Sequence, residues 1–205
     1  HALGYRALAL TDECSVAGAV RAHLAAKAVN AAAQHAGSEG TAPLQLILGA
    51  QFCVQARSSA ESAFTLVLLA QTLQGWGNLC AFITRLRRAS PKGSYNLTRA
   101  GVAGADLRDC LALICPDRQL ASPADMASSG WGGDQARASQ HAMWPDESLA
   151  PHAQASMAQP PDAIDQRLAE LGHWALTHFM GRCWIGVEQL RRMDDALWLH
   201  RLRQM

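Results

Sequence analysis

The sequence lacks the features that mark membrane proteins and several common nucleotide-binding or hydrolytic sites. No stretch of the 205 residues approaches the run of about 18 apolar residues that indicates a membrane-spanning helix. There is no Gly-rich phosphate loop, no Gly-x-Ser-x-Gly turn and no His-Glu-x-x-His pair. No signal peptide is visible at the start of the chain. We therefore expect a cytoplasmic protein with no membrane partner.

The chain also lacks an excess of charge of either sign. Lys and Arg together number 18 and Asp and Glu 17, which gives a formal net charge of +1. An overall basic field that would favour nucleic acid and an acidic excess that would favour disorder are therefore both excluded. The apolar fraction is 49%, and much of it is alanine, which favours helices but buries little area. A chain of this length can still form one large core or two small ones.

Paired metal ligands are scarce. None of the 6 cysteines belongs to a Cys-x-x-Cys pair, and no two of the 8 histidines stand at metal-ligand spacing beside a predicted strand end. Most cysteines lie within or beside apolar stretches, so we expect reduced, buried thiols that pack as small hydrophobic side chains. A disulfide framework is not expected.

Short apolar runs alternate with longer helical patterns along the chain. The runs predict strands at residues 5–10, 44–52, 64–70, 110–115 and 183–188. Helices are predicted at residues 16–34, 79–89, 163–179 and 194/195–202, with Ser15 and Asn78 capping the first two. We interpret 75–77 as a break before the second helix, and the unbroken run at 64–70 as a strand covered on both faces. The alternation predicts an α/β fold with a mostly parallel sheet and helices outside it.

The composition divides the chain into three parts. Residues 118–162 are rich in Ala, Ser, Gln, Gly and Pro, with Leu120 and Leu149 as their only branched aliphatic side chains. Such a stretch cannot bury enough area to offset the entropy of ordering it. We therefore predict a flexible low-complexity insertion at 118–162 between ordered regions at 1–117 and 163–205. Because the chain opens with His1 in what resembles a helix end, we expect it to be a segment of a longer protein.

Acidic side chains follow the first and last predicted strands. In parallel α/β folds the ligand site lies at the carboxyl ends of the strands. This rule selects Asp12 and Glu13, then Glu188, together with Thr11, Gln51, residues 70–72 and Cys115. Converging carboxylates would suit a divalent metal or general acid–base chemistry. Alternatively, Asp12 caps the following helix and Glu13 complements its dipole.

One cluster of cations stands out. It comprises Arg85, Arg87, Arg88 and Lys92, with Tyr95 and Arg99 downstream. These side chains could contact phosphate groups. Alternatively, they complement the carboxyl terminus of the predicted second helix, because no aromatic platform for stacking bases accompanies them.

Three stretches form an ordered set of motifs. They are residues 3–18, with Thr-Asp-Glu-Cys-Ser at 11–15; residues 46–52, Leu-Ile-Leu-Gly-Ala-Gln-Phe; and residues 66–95, with Gly-Trp-Gly-Asn-Leu-Cys at 75–80. Together they resemble the PHP domain (polymerase and histidinol phosphatase) of bacterial C-family DNA polymerase III alpha subunits. The Thr-Asp-Glu-Cys-Ser form is most similar to the error-prone alpha subunits used in damage-induced mutagenesis. The resemblance covers residues 1–116, extends to 163–205 and has no counterpart at 118–162.

The resemblance implies an incomplete PHP-type distorted (β/α)7 barrel with a degenerate metal site. Asp12 matches a family metal ligand, but Glu13 stands where metal-binding members have His, and Gln51 where they have Glu. Thr65 stands at a further His position, Cys115 is aligned with a ligand cysteine, and Glu188 is the remaining carboxylate at a strand end. Losing one anionic and two imidazole ligands leaves too few donors for a metal cluster. We expect no bound cofactor and no catalytic residue in this segment.

The resemblance also implies a function for the whole protein. The segment would support an error-prone DNA-directed DNA polymerase in replication and translesion repair synthesis, with nucleotidyl transfer and its Mg²⁺ located downstream. DNA would be bound through the parent polymerase, and other mutagenesis or replication proteins would be partners. A stand-alone, metal-dependent PHP phosphoesterase and a pure interaction module are the alternatives.

Overall fold

The computed structural model describes residues 4–35, 42–58, 61–103, 105–117, 161–193 and 195–205. The strands are β1 (Ala7–Glu13), β2 (Gln45–Val54), β3 (Phe64–Ala70), β4 (Cys110–Pro116) and β5 (Cys183–Ile185). The helices are α1 (Ala19–His35), α2 (Leu73–Arg88), α3 (Arg99–Ala103), α4 (Pro161–Phe179) and α5 (Asp195–Gln204). A strand is thus present at each of the five predicted positions. The predicted insertion at 118–162 lies outside the described residues, apart from the first two residues of α4.

The sheet is mixed rather than mostly parallel. Its strand order is β1-β2-β3-β4-β5. The outer pairs β1–β2 and β4–β5 are parallel, whereas β3 is antiparallel to both of its neighbours. Residues 55–63, which join β2 to β3, are fewer than the dozen or more that a parallel crossover requires. The prediction of a mostly parallel sheet was therefore wrong at its centre.

The two faces of the sheet differ in how they are covered. One face carries Phe52, Phe64, Leu66, Leu68 and Ile114, each at most 1% exposed. This helix-covered face packs against α2 and α4, which contribute Leu79, Phe82, Leu171, Ala175 and Phe179 to the same core. The opposite face is only partly buried in the described residues, and we call it the uncovered face. Its members include Gln51, Cys53, Thr65, Val67, Leu69, Leu113, Cys115 and Trp184.

The partial exposure of the uncovered face corrects the prediction for β3, whereas the predicted barrel stays a prediction. β3 alternates between buried and half-buried side chains, so it is not covered on both faces as its apolar sequence predicted. Within the part of the chain that the structure describes, the sheet is open, with β1 and β5 at its edges. The described strands therefore form a five-stranded mixed sheet, and the expected barrel stays a prediction.

The α2 helix begins earlier than predicted. Its N-cap is Thr72, whose hydroxyl oxygen accepts a hydrogen bond from the Gly75 backbone N–H at 3.1 Å. Asn78 lies inside the helix, and its side-chain amide donates to the Arg108 carbonyl at 3.1 Å. Gly75 is not a helix break, because α2 runs through it from Leu73 to Arg88. A side chain at Gly75 would collide with the backbone of Asp109. The glycine is required by close packing of α2 on the start of β4.

The cysteines are reduced as predicted, but only some of them are buried. All six cysteines are free, as predicted, but Cys14 and Cys110 are the two that are buried, and Cys53 is exposed. Among the described helices, none is sufficiently long and apolar to span a bilayer.

Candidate functional site

The candidate site lies along the edge of the sheet that is formed by strand ends, which runs across the strands from β1 to β5. β1, β2, β4 and β5 all end at this edge, and β3 begins there, because it runs in the opposite direction. Residues 70–72 therefore lie at the opposite edge, and their predicted place in the site was wrong. Glu13 and Gln51 are directly paired across β1 and β2, so their side chains are neighbours on the uncovered face.

Asp12 does not share that face. Successive side chains of a strand point to opposite sides of the sheet, so Asp12 and Glu13 diverge. Asp12 is half-buried beside the start of α1, where its Oδ2 atom is 3.0 Å from the position a Cβ would occupy at Gly18. A carboxylate next to a helix N-terminus interacts favourably with the helix dipole. This placement supports the structural interpretation of Asp12.

The Glu13 carboxylate is held by a tyrosine from a distant part of the chain. The Tyr95 hydroxyl donates to Oε1 of Glu13 at 2.8 Å and accepts a hydrogen bond from the Cys53 backbone N–H at 2.7 Å. Burial, followed by the hydrogen bond to Glu13, raises the pKa of Tyr95 above its usual range, although the hydrogen bond from Cys53 opposes this. Tyr95 is therefore a neutral hydrogen-bond donor near neutral pH.

Arg87 joins the same assembly through main-chain oxygens. Its guanidinium donates to the carbonyls of Cys14 at 3.1 Å, Ser94 at 3.2 Å and Glu13 at 3.3 Å. The guanidinium carbon also lies 5.5 Å from the centre of the Tyr95 ring. We call Glu13, Cys14, Arg87, Ser94 and Tyr95 the β1 clasp. It ties the end of β1 to the segment that follows α2.

Thr65 and Cys115, which stand at family ligand positions in the sequence, form a separate row with Cys53. Cys53, Thr65 and Cys115 are register neighbours on adjacent strands of the uncovered face. Burial, and secondarily the charge of Glu188, raises the pKa of the Cys115 thiol. Burial and the charges of Glu13 and Asp117 act in the same direction on the pKa of Cys53. Both thiols are therefore protonated near neutral pH, which makes them weak metal ligands and weak nucleophiles.

Glu188 lies on the Cys115 side of the sheet, far from Glu13. Successive register partners lead from Glu13 on β1 to Trp184 on β5. These two residues are separated by four strand spacings, or roughly 19 Å along the sheet. Gly186, between Trp184 and Glu188, donates its backbone N–H to the Ile114 carbonyl at 2.7 Å, which fixes this segment against β4. The structure therefore does not bring Glu188 together with the acidic residues of β1.

These placements do not fit a multinuclear metal centre. Of the four predicted metal-site residues, Asp12 is on the other face, Gln51 offers a neutral amide and Glu188 is distant. In the described ranges, no group of three or more His, Cys, Asp or Glu side chains could hold a metal ion. Only Glu13 and Gln51 remain adjacent, and Glu13 is hydrogen-bonded to Tyr95.

The basic cluster is divided by the structure. Arg85, Arg88 and Lys92 are exposed, whereas Arg87 is directed into the β1 clasp. Arg85 donates to the Gly101 carbonyl at 2.9 Å, and its guanidinium carbon lies 5.4 Å from the Phe82 ring centre. The three exposed cations lie near the end of α2, beside the same edge of the sheet at which Tyr95 contacts Cys53.

Comparison with known proteins assigns the family. The family model for the PHP domain matches residues 1–143 of the chain. The chain belongs to the PHP domain family. The resemblance in the sequence is thereby confirmed, and the edge described above is the edge of a PHP domain sheet.

Relatives of this PHP domain carry one common description. An error-prone DNA polymerase of Ralstonia nicotianae is 48% identical over 124 residues, which cover 57% of this chain and 10% of that protein. An error-prone DNA polymerase of Azoarcus is 35% identical over 221 residues, covering 100% of this chain and 16% of the relative. That of Bordetella parapertussis is 35% identical over 203 residues, covering 95% and 14%. The chain therefore spans between a tenth and a sixth of the length of these relatives.

Proposed function

We propose that this PHP domain is a segment of an error-prone DNA-directed DNA polymerase and that it supports the enzyme structurally. The observation that carries the proposal is the similarity to the Azoarcus polymerase over the whole chain, although the chain covers only 16% of that protein. Nucleotidyl transfer, with its Mg²⁺, then belongs to other parts of the polypeptide. The parent polymerase binds DNA, works with other mutagenesis or replication proteins and acts in the cytoplasm.

The arrangement of donors supports a degenerate metal site. The Glu13 carboxylate accepts a hydrogen bond from the half-buried Tyr95, which occupies one acceptor site and fixes the direction of the carboxylate. Gln51 adds no negative charge beside Glu13, so the pair lacks the anionic pull that divalent cations require. Asp12 and Glu188 contribute at separate places. The edge of the sheet is then a packing region in which Glu13 positions Tyr95.

The open sheet supports an incomplete barrel. The half-exposed apolar side chains of the uncovered face, such as Val67 and Leu113, would be buried if the sheet curved into a (β/α)7 barrel. The edge strands β1 and β5 would then pair with strands outside the described residues. We retain the limits 1–117 and 163–205 for the two PHP portions, with 118–162 as an insertion.

The proposal is tested on the complete gene product. Purified protein is assayed for primer extension with Mg²⁺, for 3′–5′ exonuclease activity on the same primer and for bound zinc, manganese and iron by mass spectrometry. We expect extension, with no exonuclease turnover and less than one metal ion per domain. Absence of extension would contradict the polymerase assignment. Stoichiometric metal that falls in an Asp12→Asn variant, together with exonuclease turnover, would contradict the structural role.

A matched variant separates the two parts of this test. Glu13→His combined with Gln51→Glu restores the residue types that metal-binding family members carry at these positions. If the site is degenerate for lack of ligands, this variant gains metal relative to the parent while primer extension is unchanged. Lys27→Arg, an exposed substitution on α1, is the control and leaves both the metal content and extension unaltered.

A further inference from the structure

The near-zero net charge conceals a strongly segregated distribution. Residues 62–105 contain no Asp or Glu and five basic side chains, namely Arg85, Arg87, Arg88, Lys92 and Arg99. The rest of the chain therefore carries 13 basic residues against all 17 acidic ones. A local positive field can thus exist on a protein whose total charge excludes a global one.

Three of these cations are exposed, whereas the other two are half-buried against neighbouring residues. Arg87 is engaged in the β1 clasp, and Arg99 lies against the rings of Phe64 and Trp174, with its guanidinium carbon 5.9 and 6.0 Å from their centres. Arg85, Arg88 and Lys92 are exposed. The carboxyl end of a helix carries about half an elementary negative charge, which three cations more than balance. Arg85, Arg88 and Lys92 thus place three exposed positive charges at and just beyond the end of α2.

The surface between two of these cations is a shallow depression. Arg85 and Arg88 stand three residues apart on one side of α2 and flank a broad open depression of about 620 Å³. Its other lining residues are the small side chains of Ala81, Thr84 and Ala89. Small residues between two arginines allow the backbone of a partner to approach closely. The contacts of Arg85 with Gly101 and Phe82 hold its guanidinium in a defined direction.

We propose that this face, formed by Arg85, Arg88, Lys92 and the depression between the two arginines, binds the sugar–phosphate backbone of duplex DNA. The proposal deepens the polymerase assignment and rests on it. Duplex DNA offers regularly spaced phosphates, which Arg and Lys side chains neutralise with release of counterions. Among the described residues, no large apolar or aromatic side chain lines the depression to anchor an acidic protein. The contacts would position DNA without selecting its sequence.

The test measures the salt dependence of DNA binding by the complete gene product. The probe is a fluorescein-labelled 24-base-pair duplex of mixed sequence, titrated at several NaCl concentrations. Arg88→Gln combined with Lys92→Gln removes two phosphate contacts, so the slope of log Kd against log salt is expected to fall by about 1.8. Affinity at 0.1 M salt is expected to fall roughly tenfold or more. Both side chains are exposed, so the melting temperature of the variant is expected to match that of the parent.

The control changes equal charge elsewhere. Arg21 and Lys27 are both exposed on α1, and Arg21→Gln combined with Lys27→Gln is expected to leave the slope unchanged. Equal slopes for the α2 variant and the parent would overturn the proposal. If the slopes are equal while extension persists, the surface alone is refuted. If the parent does not extend primers, the proposed function itself fails.

Discussion

The two faces of the sheet follow different rules although the same strands build them. On β3, Leu68 is fully buried under the helices, whereas its neighbour Leu69 is half-exposed on the other face. The helix-covered face carries close-packed apolar side chains, while the uncovered face mixes apolar residues with Gln51, Cys53 and Thr65. Stability in this domain therefore depends mainly on one face. Residue types on the other face can therefore change with a smaller effect on stability.

The largest effect is expected from truncating matched leucines on the two faces. Leu68→Ala creates a cavity in the helix-covered core and is expected to lower the free energy of unfolding by about 3 kcal/mol. Leu69→Ala removes the same atoms from the half-exposed face and is expected to cost about 1 kcal/mol. Urea denaturation of both variants measures the difference. Equal losses would show that the uncovered face is packed in solution.

The next largest effect on stability is expected from replacing two glycines of α2, one packed against β4 and one exposed. Gly75→Ala places a side chain against the Asp109 backbone and is expected to destabilise the domain by about 2 kcal/mol. At Gly77, a Cβ would have no neighbouring heavy atom within 4 Å, so Gly77→Ala is expected to stabilise the helix by about 0.5–1 kcal/mol. Thermal melts of the two variants should therefore shift in opposite directions. A shift in the same direction would contradict the close contact of α2 with β4.

The β1 clasp gives a smaller effect with a pH signature. Tyr95→Phe leaves the Cys53 backbone N–H and the Glu13 carboxylate without the hydroxyl, and is expected to cost about 1–2 kcal/mol at pH 7. The folded state raises the pKa of Tyr95, so its stabilising effect is complete below the unfolded value of about 10 and declines as the pH rises above it. Urea denaturation at pH 7 and pH 10.5 should show the gap between variant and parent narrowing. A gap that widens would contradict this account.

The smallest effect belongs to an exposed ion pair outside both faces. Arg108 and Asp106 form a salt bridge at 2.7 Å, and hydrogen bonds from Arg108 lower the pKa of Asp106 to about 2. Arg108→Gln should return the Asp106 pKa towards its ordinary value, as measured by NMR titration of the side-chain carboxyl carbon. The melting temperature should be almost unchanged, because solvent screens an exposed pair. A large shift in melting temperature would indicate that this loop is coupled to the core.

Apolar patterning was sufficient to locate the strands but not to orient them. The runs at 44–52 and 64–70 predicted β2 and β3 because uninterrupted apolar residues must be buried somewhere. Direction depends on the connection, and residues 55–63 are too few for a crossover, a limit that the alternation of strands and helices does not reveal. The strand period of two also separates Asp12 from Glu13. That signal was available from the sequence and would have divided the predicted carboxylate pair.

The clasp could not have been found from local patterns. Tyr95 meets Glu13 across 82 positions of the chain, and Arg87 meets the Glu13 carbonyl across 74. No short motif records such contacts, because they arise only when α2 has packed on the sheet. The same packing determines which arginines remain exposed. A cluster of cations in the sequence therefore contained one structural anchor and three surface charges, and only the fold distinguishes them.

Because Glu13 is paired directly with Gln51, the effect of replacing either residue depends on the other. A single change of Gln51 to an acid would set two carboxylates opposite each other with no cation between them, which is unfavourable for neighbouring strands. A single change of Glu13 to His would remove the acceptor of the Tyr95 hydroxyl. Each first step towards a metal centre therefore costs stability before any ion can be gained. If the metal site is degenerate as proposed, Glu13→His and Gln51→Glu are therefore expected to be better tolerated together than singly.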